Sequence, residues 1–124
     1  MNDPAGSARL TALYREATTF VMPSLHEPAG TVHVEAAAAG IPSIGTSNGG
    51  AATCIGDAGC LVDPGTPQEL VEAMLKLCDP STAERLGALG RERAKQFTWR
   101  KVAERLLRAL DIPGVDLTGY ARFL

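Results

Sequence analysis

Apolar residues recur along this chain in two rhythms, and the alternation between them predicts its elements. Leu10, Leu13, Tyr14 and Ala17 fall at three- and four-residue intervals, which predicts a helix over about residues 8–17 after a flexible start at 1–7. Thr18 to Met22 is rich in strand formers and ends at Pro23, so it reads as a buried strand. A helix is expected from about Thr31 to Ala39, with an alanine run that permits close packing on a sheet and Gly40 as its C-cap. Pro42 to Gly45 reads as a short strand, Thr46 to Ala52 as a loop carrying Gly49-Gly50, and Cys60 to Val62 as a third strand.

Asp63-Pro64-Gly65 turns the chain, and Thr66-Pro67 followed by Glu69 opens another helix. Its apolar stripe is Leu70, Ala73, Met74 and Leu77. Asp79-Pro80-Ser81 breaks that pattern and caps a helix over about 81–96. Trp99 starts a last helix to Leu110, with Val102, Leu106, and either Leu107 or Ala109 and Leu110, on its buried side. The tail, 111–124, carries Pro113 and Gly114 and has no clear period. Helices alternating with strands argue for a parallel sheet with right-handed crossovers. The fold class is therefore α/β, with about three strands, flanking helices and a helical C-terminus.

Composition narrows this without changing it. At 124 residues and 45% apolar, one domain with a core is the expectation. A net charge of −2 makes no electrostatic case for nucleic acid or an acidic membrane. The basic residues between Arg85 and Arg108 are interleaved with acids and read as a solvated helix face. Cys54, Cys60 and Cys78 are an odd count without C-x-x-C spacing, which argues against a disulfide framework or zinc site and for a reducing compartment. There is no apolar run of roughly 18 residues for a membrane span and no signal-peptide pattern at MNDPAGSARL, so a cytoplasmic location is expected.

The chemistry concentrates in Glu27-Pro28-Ala29-Gly30-Thr31-Val32-His33-Val34-Glu35. A strand precedes it and a helix starts within it, which is how an open α/β sheet presents N–H groups to a phosphate. Glu35 lies about 6 Å along that helix from Thr31, at ~1.5 Å per residue, within reach of a ribose or sugar hydroxyl. Each of these residues also has a plainer reading. Glu27 could be a surface loop acid, Ala29 to Thr31 an ordinary turn, Thr31 a helix cap and Glu35 a surface glutamate, although the apolar run around Glu35 makes a solvated face less natural. His26 adjoins the segment and could touch a phosphate, whereas His33 packs on the helix. Neither histidine has metal-ligand partners, so no metal or cofactor is expected.

Leu13-Tyr14, Ala17, Pro23-Ser24, Glu27 with Glu35, Ala36, Ala38, Gly40, Pro42 and Gly49-Gly50 occur in the order and spacing of a known family. With Asp57 to Val62, Pro64-Gly65 and Phe97-Thr98-Trp99, the chain over about residues 9–110 resembles the C-terminal, donor-binding domain of group 1 retaining glycosyltransferases of the GT-B fold. The resemblance implies a partial doubly wound, Rossmann-like sheet. The chain would match its last three strands and closing helices, without the acceptor domain and the first half of the donor domain. A sheet cut there would expose an edge that pairs with the missing half or with a second copy.

The resemblance also implies roles. Glu27 would meet hydroxyls of the transferred sugar and is the one catalytic candidate. Ala29, Gly30 and Thr31 would face the diphosphate, Glu35 the ribose hydroxyls, and Gly49 and Gly50 the same donor. The family often has an aromatic at the position of Ala29 and a glutamate at that of Thr53, so sugar packing and the acid's contribution differ here. Its arginine–lysine pair lies upstream of the matched segment. Trp99 and Phe97 are better read as packing of the last helix.

The expected function is thus part of the donor site of an enzyme that transfers a sugar from a nucleotide-diphosphate sugar with retention, the chain alone being inactive. The alternatives are a non-catalytic module binding a nucleotide sugar or a protein partner, and a sugar-nucleotide epimerase of the same architecture.

Overall fold

The computed structural model describes residues 3–110, which divide into two compact units, one up to Ala94 and the other from Lys95. In the first unit the element order is α1 (Pro4–Glu16), β1 (Phe20–Met22), α2 (Thr31–Ala39), β2 (Ser43–Thr46), α3 (Gly50–Ile55), β3 (Gly59–Val62), α4 (Pro67–Leu77) and α5 (Pro80–Ala94). The three strands form one parallel sheet in the order β1-β2-β3. Phe20 pairs with Ser43 and Met22 with Gly45, while Ser43 pairs with Gly59 and Thr46 with Val62. The architecture is the expected Rossmann-like α/β arrangement of parallel strands with flanking helices.

The core lies where β2 and β3 meet α4 and α5: Ile44, Val62, Ala73, Leu77 and Leu86 are all buried. Central β2 is buried at every position, as a parallel strand covered on both faces must be. On α5, Gly87 and Gly90 permit close approach of α2. A Cβ on Gly87 would overlap the Gly40 carbonyl, and one on Gly90 would lie 3.4 Å from Ala37. The alanine run of α2 therefore serves helix–helix contact as well as the sheet. Gly40 ends α2 at φ 81°, with the Ile41 N–H returning to the Ala36 carbonyl at 3.0 Å.

Several expectations need correction. The first helix starts at Pro4, because the Asp3 carboxylate accepts the Ala5 N–H and Pro4 suits the first turn. β1 is an edge strand with Val21 exposed, so it is only partly buried. Met74 leaves the stripe of α4 and is 46% exposed. A helix, α3, begins at Gly50, inside the loop expected over Thr46 to Ala52. Asp79 caps α5 as predicted, accepting the Thr82 N–H at 2.9 Å and the Ser81 hydroxyl at 2.6 Å. The Ser81 and Thr82 hydrogen bonds hold its carboxyl down at about 2.

The second unit carries α6 (Trp99–Ala109). Thr98 caps it by accepting the Lys101 N–H at 3.3 Å. Arg105 lies 5.8 Å from the Phe97 ring centre and donates to the Gln96 carbonyl. None of the helix's residues is buried: Trp99 is 76% exposed, and Val102, Leu106 and Leu110 are exposed too. The tail, 111–124, lies outside the described residues.

Candidate functional site

The carboxyl ends of β1 and β2 open into two loops, 23–30 and 47–49, and this is the edge at which open parallel sheets bind ligands. Both loops are built from backbone contacts that only small residues allow. Gly30 is the N-cap of α2 at φ 70°, and a Cβ there would lie 2.9 Å from the backbone of Ala51. Gly49 sits at φ 82° and ψ −150°, a conformation open essentially to glycine, with no room for a Cβ beside the Glu27 carbonyl. A Cβ on Gly50 would come within 2.6 Å of the Ala29 and Pro28 carbonyl oxygens. The Gly50 N–H donates to the Glu27 carbonyl at 2.8 Å. The sequence-predicted residues Glu27, Ala29, Gly30, Thr31, Gly49 and Gly50 are therefore brought together.

Glu27 is half-buried, and its Oε1 accepts the N–H of Gly30 at 2.8 Å and of Ala29 at 3.3 Å. It is the side chain that organises the turn. Thr31 is the first helical residue and not the cap. The start of α2 has no side-chain cap, so its first-turn N–H groups supply donors and a partial positive charge to this edge.

Glu35 is exposed on α2, which corrects the expectation that the apolar run would keep it from solvent. Its Oε2 accepts the Tyr14 hydroxyl at 3.3 Å. Burial, and then the Glu35 charge, push the Tyr14 hydroxyl above its ordinary value. Tyr14 is a neighbour that spacing does not reveal, since 21 residues separate the pair.

His33 is 1% exposed, packed edge-on against Phe20 with ring centres 5.4 Å apart, and neither ring nitrogen has a hydrogen-bond partner among the described residues. Burial lowers its pKa, with the Glu27 charge opposing. The ring is neutral packing. His26 is exposed. Among the described residues no three His, Cys, Asp or Glu side chains converge as a metal site would require.

Cys54 is buried on α3, and its thiol donates to the Ala29 carbonyl at 3.2 Å. Burial pushes that thiol up, against the pull of Arg93, so it stays protonated and is a donor and not a nucleophile. Two arginines of α5 grip helix ends while Arg91 stays exposed, as expected of a solvated face, and Arg93 is partly so. Arg91 donates to the Ala39 carbonyl at 3.1 Å, and Arg93 donates to the carbonyls of Cys54 at 2.9 Å and Thr53 at 2.6 Å. Neither faces the edge where the glutamates sit. The site can offer two carboxylates to hydroxyls and a set of N–H groups to an anion. Among the described residues it contains no nucleophile–base pair.

Residues 4–79 match the model of the family described as "Glycosyl transferases group 1". The chain is 36% identical over 107 residues to D-inositol 3-phosphate glycosyltransferase of Corynebacterium glutamicum, covering 84% of this chain and 26% of that protein. It is 37% identical over 109 residues to alpha-maltose-1-phosphate synthase of Mycobacterium tuberculosis, covering 80% of this chain and 28% of that protein. Sucrose-phosphate synthase from Thermosynechococcus elongatus, of the GT-B fold, superposes with a TM-score of 0.72 at 35% identity, over 86% of this chain and 28% of that one. The chain thus spans about a quarter of the length of the curated relatives it matches.

Proposed function

The chain belongs to the group 1 glycosyltransferase family, and we propose that its 27–50 region is part of the donor site of a protein that transfers a sugar from a nucleotide-diphosphate sugar with retention. The observation that carries this is the interlocking of Glu27, Gly30 and Gly50 at the carboxyl edge of the sheet, at the start of α2. Oε1 of Glu27 holds the turn, and its second oxygen accepts from hydroxyls of the sugar. The start of α2 at Thr31 faces the diphosphate, where the helix start favours negative charge, while the Ala29 and Gly30 N–H groups are taken by Oε1 of Glu27. Glu35, backed by the Tyr14 hydroxyl, takes the ribose hydroxyls. Gly49 and Gly50 keep the second loop low enough for the donor to reach both. Stabilisation of the departing diphosphate by fixed donors is the chemistry such an edge supplies. No carboxylate pair is needed as acid and nucleophile.

The outer edge of β1 has no strand partner among the described residues. It is where a further strand of a longer protein, or a second copy, would pair. Light scattering on an eluted peak separates these, since a stable monomer excludes the second copy. The three free thiols suit a reducing compartment. No described helix is long and apolar enough to cross a membrane.

Calorimetric titration with UDP-, GDP- and ADP-linked sugars, on the chain and its Glu35→Ala variant, tests the reading. Binding of one donor that is lost in the variant supports it. A folded chain that binds none of them overturns the claim that this region is a donor site by itself. Binding without turnover in the full-length protein would favour a non-catalytic module.

A further inference from the structure

We propose that Arg93 is a positioning residue for the donor loop, acting through Cys54 and α3, an inference that rests on the donor-site reading above. α3 spans six residues, too short to hold its shape alone. Its C-terminal carbonyls, at Thr53 and Cys54, are held by one guanidinium reaching over from α5. A cation at that end also matches the helix dipole. Gly56, at φ 54°, lets the guanidinium lie directly against the chain where α3 ends, and Asp57 sits 3.9 Å from its Nη1.

The other side of α3 is the floor of the loop. Gly50 holds the Glu27 carbonyl, Ala51 abuts Gly30, and the Cys54 thiol holds the Ala29 carbonyl at 3.2 Å. Cys54 is thus gripped by Arg93 through its carbonyl and grips the loop through its side chain. Moving α3 by a fraction of an ångström shifts the carbonyls of Glu27 and Ala29 together, and with them the N–H groups that would meet the diphosphate. Arg91 makes a similar clamp, but on the far end of α2 at Ala39, and so is the matched control.

The test is residue-resolved amide hydrogen exchange on wild type, Arg93→Ala, Arg93→Lys, Cys54→Ala, Cys54→Ser and Arg91→Ala, with titration against UDP-glucose, GDP-mannose and ADP-glucose. In Arg93→Ala, protection of the Gly30 and Gly50 amides should drop about ten-fold beyond any drop across β2, the size of one charge-assisted hydrogen bond. Affinity for whichever sugar binds wild type should weaken by a similar factor. Arg93→Lys should recover part of both. Cys54→Ser, which keeps a donor, should stay closer to wild type than Cys54→Ala. Arg91→Ala should leave the ratio of loop to β2 protection unchanged. A uniform loss of protection in Arg93→Ala, or the same loop loss in Arg91→Ala, would overturn the proposal. If Arg93→Ala does not fold, the Lys variant and the two Cys54 variants decide on the same readouts. If wild type binds none of the three sugars, the donor-site reading fails, while the exchange data still decide whether Arg93 positions the loop.

Discussion

The amide of Gly50 donates to the carbonyl of Glu27 at 2.8 Å, joining the start of α3 to the loop that bears the first of the two glutamates. They are far apart along the chain, and the contact exists because β1 and β2 are adjacent parallel strands that end at the same edge. Whatever binds at this edge meets both loops as one surface.

Gly49→Ala should be among the costliest single changes in the region. The backbone conformation at φ 82° and ψ −150° disfavours any Cβ, and the Glu27 carbonyl occupies its space. A loss of about 2–3 kcal/mol is expected from the strain alone, read as a lower urea midpoint at unchanged slope.

Glu35→Ala should leave stability within about 0.5 kcal/mol, because the carboxylate is exposed, while removing donor binding. Tyr14→Phe should be equally mild in stability. In a Tyr120→Phe background, where Tyr14 is the only tyrosine, ultraviolet titration should place its hydroxyl above 10. Glu35→Ala should then bring it part of the way back, since burial remains and the anion is gone. No movement on that substitution would mean the pair is not in contact.

His33 gives the unit a pH limb. Its pKa in the folded chain is lowered, so below the unfolded value of 6.5 the unfolded chain takes up protons that the folded one refuses. Stability is complete above 6.5 and declines as pH falls from there toward the folded value. His33→Leu should change stability by under about 1 kcal/mol at pH 7.5, since the imidazole nitrogens make no bond among the described residues. It should gain on wild type at pH 5.0. Urea unfolding at the two pH values checks this, and parallel curves for the two proteins would refute it.

Asp79 gives a second limb further down. Its carboxyl is held at about 2 against an ordinary 3.8, so its contribution is present above 3.8 and is lost as pH falls toward 2. Asp79→Ala should melt below wild type at pH 6, and the difference should close as pH drops through that window. Asp79→Asn, which still caps a helix, should fall between the two at pH 6.

Much of the fold was legible because its signals are local. The three strands, the C-cap at Gly40, the Asp79 cap and the helical stripe ending at Leu77 all follow from period, turn chemistry and cap residues within a few positions of one another. The resemblance to group 1 glycosyltransferases marked the residues that converge at the loop edge for the same reason, as a run of ordered positions. α3 was not legible: six residues beginning with glycine have neither the length nor the propensity to announce a helix. They are helical because Glu27 holds one end and Arg93 the other. The exposure of Glu35, its contact with Tyr14 and the recruitment of Arg91 and Arg93 as clamps on helix ends were likewise decided by tertiary structure. Each depends on which elements the parallel sheet sets side by side. Residues tens of positions apart acquire a distance only when the chain has closed around them.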